Sequence, residues 1–221
     1  MIQIAPDVYH IPVMPRYLIN TYLIGSVLID AGIKLSGQTL RNALGSRQLT
    51  AHALTHAHPD HQGASAYLCQ TLGIPFWVGT HDVAAAESGQ IAPTMPDARH
   101  PVIWFEQTFM AGPGQRVDRA LQDGDLIEDF RVIETPGHSP GHLCFWRERD
   151  GVLIVGDVLR NINFFTTRPE LGEPLKVFTP DPETNRQSIK KIAALKPSVV
   201  CFGHGPVLRD TQRIVEFAKR L

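Results

Sequence analysis

Four residues that can bind a metal ion fall within one six-residue stretch, residues 56–61, with the sequence HAHPDH. The stretch follows an apolar run, residues 51–55, which is typical of a buried strand. Alternate side chains of an extended backbone point the same way, so His56 and His58 can bind one ion. Pro59 disfavours helical backbone at the residue before it and keeps this part of the chain extended. The stretch therefore predicts a metal site at the end of a strand.

The pattern becomes helical after this stretch, with apolar residues at helical spacing up to Leu72. Asp60 and His61 then lie at a strand-to-helix turn, where they can face a second ion. Simpler roles compete with this interpretation, because Asp60 can cap the following helix and a single histidine beside a strand is usually a hydrogen-bonded polar residue. Adjacent imidazoles have little structural use without a cation. Three histidines and one aspartate at this spacing therefore favour metal binding.

The composition is ordinary for a soluble globular protein. The chain has 221 residues, of which 43% are hydrophobic and 19% charged, and its formal net charge is -1. This length fits one domain, residues 1–221. Lysines and arginines form no large cluster, so we expect no nucleic-acid partner, and no apolar run approaches the roughly 20 residues that span a membrane. Scattered cysteines (Cys69, Cys144 and Cys201) and the lack of a secretory signal predict a cytoplasmic protein.

β-prone and helical segments alternate along the chain. Residues 7–31 have the pattern of a β-meander, and strands and helices alternate over residues 36–87. A second β-rich part covers residues 117–155, and a helix, a strand over residues 198–202 and an amphipathic helix follow it. This order predicts an α/β layer architecture in which helices pack on sheets.

Residues 88–114 combine prolines with large apolar side chains such as Trp104 and Phe105. The prolines are Pro93, Pro96, Pro101 and Pro113. We expect an irregular segment that covers another part of the molecule. It can wall a pocket, bury a homodimer contact or cover the core, and the sequence leaves these three roles open.

Three later strand ends each carry one polar residue in a glycine-rich turn, namely His138, Asp157 and His204. Glycine lets the backbone approach closely and adopt positive φ, which helps to place imidazoles around an ion. Together with residues 56–61, these turns supply five histidines and two carboxylates. Asp30 also ends an early strand. This set suits two ions that are bound by nitrogen and oxygen atoms, such as zinc.

These motifs resemble those of the metallo-β-lactamase superfamily, and the resemblance covers nearly the whole chain. It implies a four-layer αββα sandwich, with two mixed β-sheets flanked by helices and a metal site at the edge of the sandwich. It assigns one ion to His56, His58 and His138, a second ion to Asp60, His61 and His204, and a bridging position to Asp157. Asp30 would orient one of the metal-bound side chains, as carboxylates beside such ligands do.

The resemblance implies a dinuclear metal-dependent hydrolase in which a metal-bridging hydroxide cleaves a small ester, thioester or lactone. Metal coordination brings the pKa of water near 7, and a metal ion polarises a carbonyl oxygen. Asp60 is the candidate catalytic residue, as a proton shuttle to the leaving group. The two divalent ions are expected to be zinc, with iron or manganese as alternatives, and the partner is expected to be a small-molecule substrate.

The glyoxalase II branch of the family is the nearest functional analogue, because residues 55–61 match its Thr-His-x-His-x-Asp-His pattern. The alternative function is that of a mononuclear non-haem iron persulfide dioxygenase. Enzymes of that kind use only the equivalents of His56, His138 and Asp157. The full set of second-site residues favours the dinuclear hydrolase.

The segment after Asp157 is expected to shape the substrate pocket or to be a solvated loop. Its candidate apolar wall residues are Phe164, Phe165 and Phe178. Its candidate anion contacts are Arg160, Arg168 and Lys176.

The other histidines lack a metal-binding pattern. We expect His10, His52, His81 and His100 to lie in solvent or in turns. His142 is expected to pack or hydrogen-bond beside His138, with substrate contact as the alternative.

Overall fold

Two β-sheets face each other in the computed structural model, which describes residues 1–91 and 94–221. The seven strands of the larger sheet lie in chain order: β1 (Ile2–Ala5), β2 (Val8–Pro12), β3 (Asn20–Ile24), β4 (Val27–Ile29), β5 (Ala51–Ala53), β6 (Phe76–Gly79) and β7 (Arg119–Leu121). Neighbours are antiparallel from β1 to β4 and parallel from β4 to β7. The sheet is therefore mixed.

The smaller sheet has five strands, in the spatial order β14 (Val199–Phe202), β11 (Val152–Gly156), β10 (Leu143–Arg147), β9 (Phe130–Glu134) and β8 (Leu126–Ile127). Strands β11 and β14 are parallel, and the other neighbours are antiparallel. A separate ribbon pairs β12 (Arg160–Asn161) with β13 (Leu171–Gly172). Strands β9, β11 and β14 consequently run in the same direction, and they end at the same edge of their sheet.

The helices lie outside the sheets or at their edges. They are α1 (Gly37–Leu44), α2 (Pro59–Gln62), α3 (Ser65–Leu72), α4 (Val83–Ser88), α5 (Pro101–Phe109), α6 (Pro182–Ala194) and α7 (Gln212–Ala218). In the part of the chain that the structure describes, none of the helices combines the length and the apolar character needed to span a membrane.

Alternation along the strands explains the layers. Tyr22 and Ile24 of β3 face the smaller sheet and pack in one core with its Phe145, whereas Leu23 between them packs with α1 and α3 on the outside. Strand β11 is buried on both faces, and its Leu153 contacts the outer cluster that includes α6 and α7. Each such side chain contributes roughly 1.5–3 kcal/mol by leaving water. The predicted αββα sandwich is confirmed.

The expectation of an irregular segment is wrong for residues 101–109, which form α5. Pro101 occupies the first turn of this helix, where its missing N–H is not needed for a helical hydrogen bond. The side chain of His100 accepts a hydrogen bond from the N–H of Val102 at 3.2 Å and so caps the helix. Pro93, another proline of the expected irregular segment, lies outside the described residues.

The expected positions of His10 and His52 are also wrong, because both side chains are buried. His10 Nε2 lies 2.8 Å from Oδ1 of Asn20. His52 contacts the carbonyl oxygen of Leu28 through Nδ1 at 3.0 Å and Oγ of Ser65 through Nε2 at 2.8 Å. A histidine in a strand is readily buried when both ring nitrogens find partners, and strand pairing supplies those partners from distant residues.

Candidate metal centre

The polar residues singled out above lie at the ends of strands that finish at one edge of the sandwich. Asp30 follows β4 and residues 56–61 follow β5, and these two strands are parallel neighbours. His138 follows β9, Asp157 follows β11 and His204 follows β14. The direction shared by these strands therefore brings residues that are distant in the sequence to one place.

The backbone of residues 56–61 has the predicted form. His58 is extended, with φ -85° and ψ 155°, and α2 begins at the next residue, Pro59. Asp60 and His61 lie in the first turn of α2. The turn thus directs the side chains before and after Pro59 to neighbouring positions.

The first ligand group consists of His56, His58 and His138. Their ring centroids are 4.4 Å (His56–His58), 4.5 Å (His58–His138) and 4.8 Å (His56–His138) apart. Within the described residues, Nε2 of each ring is buried and has no hydrogen-bond partner. The three ligand atoms lie close enough together to bind one ion.

The second ligand group consists of Asp60, His61 and His204. Oδ2 of Asp60 lies 3.2 Å from Nε2 of His204 and 3.8 Å from Nε2 of His61. These three residues also place one ligand atom each within reach of a common ion.

Asp157 lies between the two groups. Its Oδ2 is 3.7 Å from Nε2 of His138 in the first group and 2.9 Å from Nε2 of His204 in the second. Its Oδ1 is 3.5 Å from Nε2 of His61. A β-carbon at Gly203 would overlap Oδ1 of Asp157 and the ring of His61, so only glycine fits beside this carboxylate.

The two groups differ in their protonation. Burial lowers the pKa of His58 to about 4, and it lowers the pKa values of His56 and His138 well below the ordinary value, with help from the neighbouring rings. Burial opposes protonation of His204 as well, but Asp157 and Asp60 raise its pKa to about 10. The first group is therefore neutral at pH 7, whereas the second retains protons beside its carboxylates.

Hydrogen bonds fix which nitrogen of His61 faces the site. Oδ2 of Asp30 lies 2.9 Å from Nδ1 of His61 and accepts its proton. Oδ1 and Oδ2 of Asp30 also accept hydrogen bonds from the N–H and the hydroxyl of Thr55, each at 2.8 Å. Asp30 therefore has the predicted orienting position, and Nε2 of His61 faces the site.

Two threonine hydroxyls fix two of the three rings of the first group in the same way. The hydroxyl of Thr55 donates to Asp30, so it accepts from Nδ1–H of His56 at 3.0 Å. The hydroxyl of Thr179 donates to the carbonyl of Leu175 at 2.9 Å, so it accepts from Nδ1–H of His138 at 3.3 Å. Each hydroxyl has only one proton to give, and this fact sets the tautomers.

His142 has a supporting position. Its Nδ1 contacts the hydroxyl of Thr135 at 2.8 Å, and its Nε2 accepts a hydrogen bond from the N–H of Asp157 at 3.0 Å. Burial lowers the pKa of His142 to about 3, so the ring is neutral and can accept that bond. The prediction that His142 hydrogen-bonds beside the site is confirmed.

Asp82 is a supporting residue that the sequence reasoning missed. Its Oδ2 accepts hydrogen bonds from the N–H of Ala57 at 3.0 Å and from the hydroxyl of Ser139 at 2.7 Å. Its Oδ1 accepts from the N–H of Gly141 at 2.7 Å. Asp82 thus ties the loop of His56 and His58 to the loop of His138. It lies just after the end of β6, which is the signal that identified the other strand-end residues.

A cavity of about 370 Å³ opens beside the two ligand groups. Phe164, Phe178 and Arg160 line it, as predicted, whereas Phe165 is 98% exposed and does not. Arg168 and Lys176 also lie outside its lining. Of the three roles left open for residues 88–114, walling a pocket is confirmed, because Val102, Phe105, Glu106 and Met110 line the cavity.

The residues of the centre fit divalent metal ions. Nε2 of His56, His58, His61 and His138 and Oδ1 of Asp157 are buried and lack hydrogen-bond partners within the described residues. Buried polar atoms without partners are costly in folded proteins. Imidazole nitrogens and carboxylate oxygens are the ligands that zinc and iron share, and coordination would satisfy all of these atoms together.

Comparison with known proteins agrees with this geometry. Residues 14–204 match the sequence model of the metallo-beta-lactamase superfamily. The chain belongs to this superfamily. It is 31% identical over 218 residues to the probable metallo-hydrolase YflN of Bacillus subtilis, covering 88% of this chain and 82% of YflN.

Two other similar proteins have names that are informative about chemistry. Hydroxyacylglutathione hydrolase GloC of Haemophilus influenzae is 28% identical over 116 residues, which is 48% of each chain. The crystal structure of TTHA1623 in a di-iron-bound form superposes with a TM-score of 0.71 at 27% identity, covering 91% of this chain and 94% of that one.

Proposed function

We propose that the protein is a dinuclear metal-dependent hydrolase that cleaves a small ester, thioester or lactone. One observation carries the proposal. Side chains from four strand-end loops form two ligand groups that share Asp157, and five of their ligand atoms are buried without hydrogen-bond partners in residues 1–91 and 94–221. The names of YflN and GloC, a probable metallo-hydrolase and a hydroxyacylglutathione hydrolase, support the same class of reaction.

In this proposal the first ligand group binds one ion, the second ligand group binds another, and Asp157 bridges them. Divalent ions bound by such ligands supply Lewis acidity and activate water at neutral pH. Zinc is our first assignment, and the di-iron form of TTHA1623 makes iron the main alternative.

The residues around the centre hold it in a state that is ready for metal. Asp30, Thr55 and Thr179 accept the Nδ1 protons of His61, His56 and His138, so the Nε2 atoms of these rings face inward. The carbonyl oxygen of Leu18 contacts Nδ1 of His204 and does the same for that ring. Fixed tautomers spare the site from reorganisation when a cation binds.

Asp60 is the proposed proton carrier for the leaving group. It lines the cavity, and its side chain is 13% exposed, whereas that of His61 is fully buried. Replacing Asp60 with Asn should slow alkyl esters, whose leaving groups need a proton, more than p-nitrophenyl esters, whose leaving group does not. An equal loss for both kinds of ester in protein with unchanged metal content would contradict the role of Asp60 as proton carrier.

The dioxygenase alternative requires only His56, His138 and Asp157. The assembled second ligand group favours the dinuclear hydrolase, because a mononuclear enzyme has no use for Asp60, His61 and His204 at these distances. A homodimer contact through residues 88–114 stays a prediction.

The test is a panel of thioesters, lactones, carboxylic esters and phosphodiesters, assayed with protein of measured metal content. We expect turnover of a carbonyl substrate by protein that holds two metal ions per chain. His58→Ala should abolish turnover, and His81→Ala, which removes an exposed histidine outside the ligand groups, should not. Turnover that persists in metal-free protein would refute the proposal, as would one iron per chain with persulfide oxidation instead of hydrolysis.

A further inference from the structure

Apolar side chains from three parts of the chain form most of the cavity wall. Ile19 precedes β3, Phe105 and Met110 lie on α5 and just after it, and Phe164 and Phe178 follow the ligand Asp157 in sequence. A wall of this kind binds hydrocarbon and aromatic groups by removing their surface from water. Residues of both ligand groups line the same cavity, so a substrate whose carbonyl group reacts there places its remaining part against this wall.

Outside the ligand groups, the described residues give the cavity one positively charged side chain, and that side chain is hydrogen-bonded to backbone carbonyl groups. Arg160 is its only lysine or arginine within the described residues. Its guanidinium donates to the carbonyl oxygen of Glu173 at 3.0 Å and to that of Ile162, and it lies 5.9 Å from the ring centroid of Phe164. Those contacts hold the guanidinium against the protein's own backbone.

Glu106 also lines the cavity and gives an anion no counter-charge. Its carboxyl group lines the cavity and makes no hydrogen bond or ion pair with the described residues. Burial, and then the charge of Asp60, raise the pKa of Glu106 to about 9 in the metal-free site. Whether Glu106 is protonated or ionised, it does not supply a counter-charge for a carboxylate or phosphate.

The cavity opens to solvent past aromatic residues of α5. Phe105 lines the cavity and is 48% exposed, and its ring centroid lies 4.9 Å from that of Phe109, which is 51% exposed. The apolar surface therefore continues from the wall to the outside of the molecule. A hydrocarbon chain longer than the cavity can follow this apolar surface.

We propose that the substrate carries a neutral, hydrophobic acyl or aryl group in this cavity, and that the enzyme discriminates against substrates with an anionic group there. This inference rests on the proposed hydrolase function. The volume of about 370 Å³ corresponds to roughly a dozen groups the size of a water molecule, at ~30 Å³ each. An acyl chain of roughly eight carbons therefore fits between the ligand groups and the opening.

The test compares two esters of equal chain length on metal-loaded protein, p-nitrophenyl octanoate and the mono-p-nitrophenyl ester of octanedioic acid. We expect kcat/KM to be roughly 10- to 100-fold higher for the neutral ester, because burying an unpaired carboxylate is unfavourable. Unproductive binding of the acid through its free carboxylate changes kcat and KM equally, so the ratio kcat/KM is the correct readout. Equal or faster hydrolysis of the anionic ester would overturn the inference.

Two substitutions on α5 test whether the cavity lining causes the selectivity between the two esters. Val102→Lys places an ammonium group on a residue that lines the cavity and is 41% exposed, and it should raise kcat/KM for the anionic ester about tenfold. Thr108→Lys adds the same charge at an exposed position of the same helix that does not line the cavity. It should leave kcat/KM unchanged for both esters. Equal effects of the two substitutions would show that net charge, and not the cavity, sets the selectivity.

A binding measurement separates this inference from the proposed reaction. Octanohydroxamic acid and the monohydroxamic acid of octanedioic acid share a metal-binding head group and differ only in the distal carboxylate. Calorimetry should give at least tenfold tighter binding of the neutral compound. If that preference appears while no ester is hydrolysed, the proposed reaction is wrong and the cavity assignment stands. Equal binding, or no binding of either compound, would refute the cavity assignment.

Discussion

The two ligand groups share Asp157 yet differ in charge and in support. The first group has three neutral imidazoles, and the buried carboxylate of Asp82 ties its two loops together. The second group combines a carboxylate with histidines whose pKa values are raised, His204 to about 10 and His61 well above the ordinary value, and Asp30 supports it. In the absence of metal, protons thus supply the positive charge that the carboxylates of the second group require.

This difference indicates an order of metal binding. An ion that enters the first group meets unprotonated Nε2 atoms and displaces no proton from them. An ion that enters the second group has to displace protons that Asp60 and Asp157 stabilise. We therefore expect the first group to bind its ion more tightly and the second group to exchange its ion more readily.

Substituting one ligand in each group should give the largest effect on activity and metal content. His58→Ala, in the first group, should lower kcat/KM by roughly 10³-fold or more, since water activation requires the metal site. It should also lower the metal content. His204→Ala, in the second group, should leave about one ion per chain by elemental analysis. The same metal content in both variants would remove the proposed difference between the groups.

A smaller loss is expected when Asp30 is replaced. Asp30→Asn takes away the charged acceptor that orients His61 and Thr55. Carboxylates in this position change metal affinity by about 10- to 100-fold, and the loss should fall on the second ion. Competition with a chromogenic chelator measures the two affinities separately. A lower affinity for the ion of the first group, with an unchanged affinity for the ion of the second group, would contradict the assignment of Asp30.

Asp82→Asn tests the support of the first group. An amide cannot accept all three hydrogen bonds that reach the Asp82 carboxylate, and a buried donor left without an acceptor costs about 1–3 kcal/mol. Thermal unfolding should show this loss of stability, and the affinity for the first ion should fall about tenfold. Asp97→Asn, at an exposed aspartate, is the control and should change neither quantity.

The mildest test changes only the pH. Raised pKa values in the second group mean that protons compete more strongly for its histidines as the pH falls, whereas the lowered pKa of His58, about 4, protects the first group. Dialysis at pH 8 should leave two ions per chain, and dialysis at pH 6 should leave one. Loss of both ions over the same narrow pH range would show that the groups do not differ in this way.

Much of the fold and the centre could be predicted from the sequence because the signals are local. Alternation and turn residues indicated the strands, and each candidate ligand lies in the loop after a strand or in the first turn of the helix that follows, as His58 and Asp60 illustrate. The resemblance to the metallo-β-lactamase superfamily then predicted a metal site at the edge of the sandwich. Metal binding by these residues stays a prediction.

The missed features depend on contacts between distant residues. Prolines indicated breaks in residues 88–114, but Pro101 begins a helix that His100 caps. The burial of His52 depends on Leu28 and Ser65, and the role of Asp82 depends on Ala57 and two residues of the His138 loop. No local pattern at these positions reveals which distant partner the fold supplies.

Crystallography of the metal-loaded protein, with anomalous diffraction recorded at the zinc and iron absorption edges, tests the central claim most directly. We predict two anomalous peaks in each chain, one bound by the first ligand group, one by the second, and Asp157 in contact with both. A single ion, or a pair of ions bound outside the two groups, would contradict the dinuclear centre proposed for this protein.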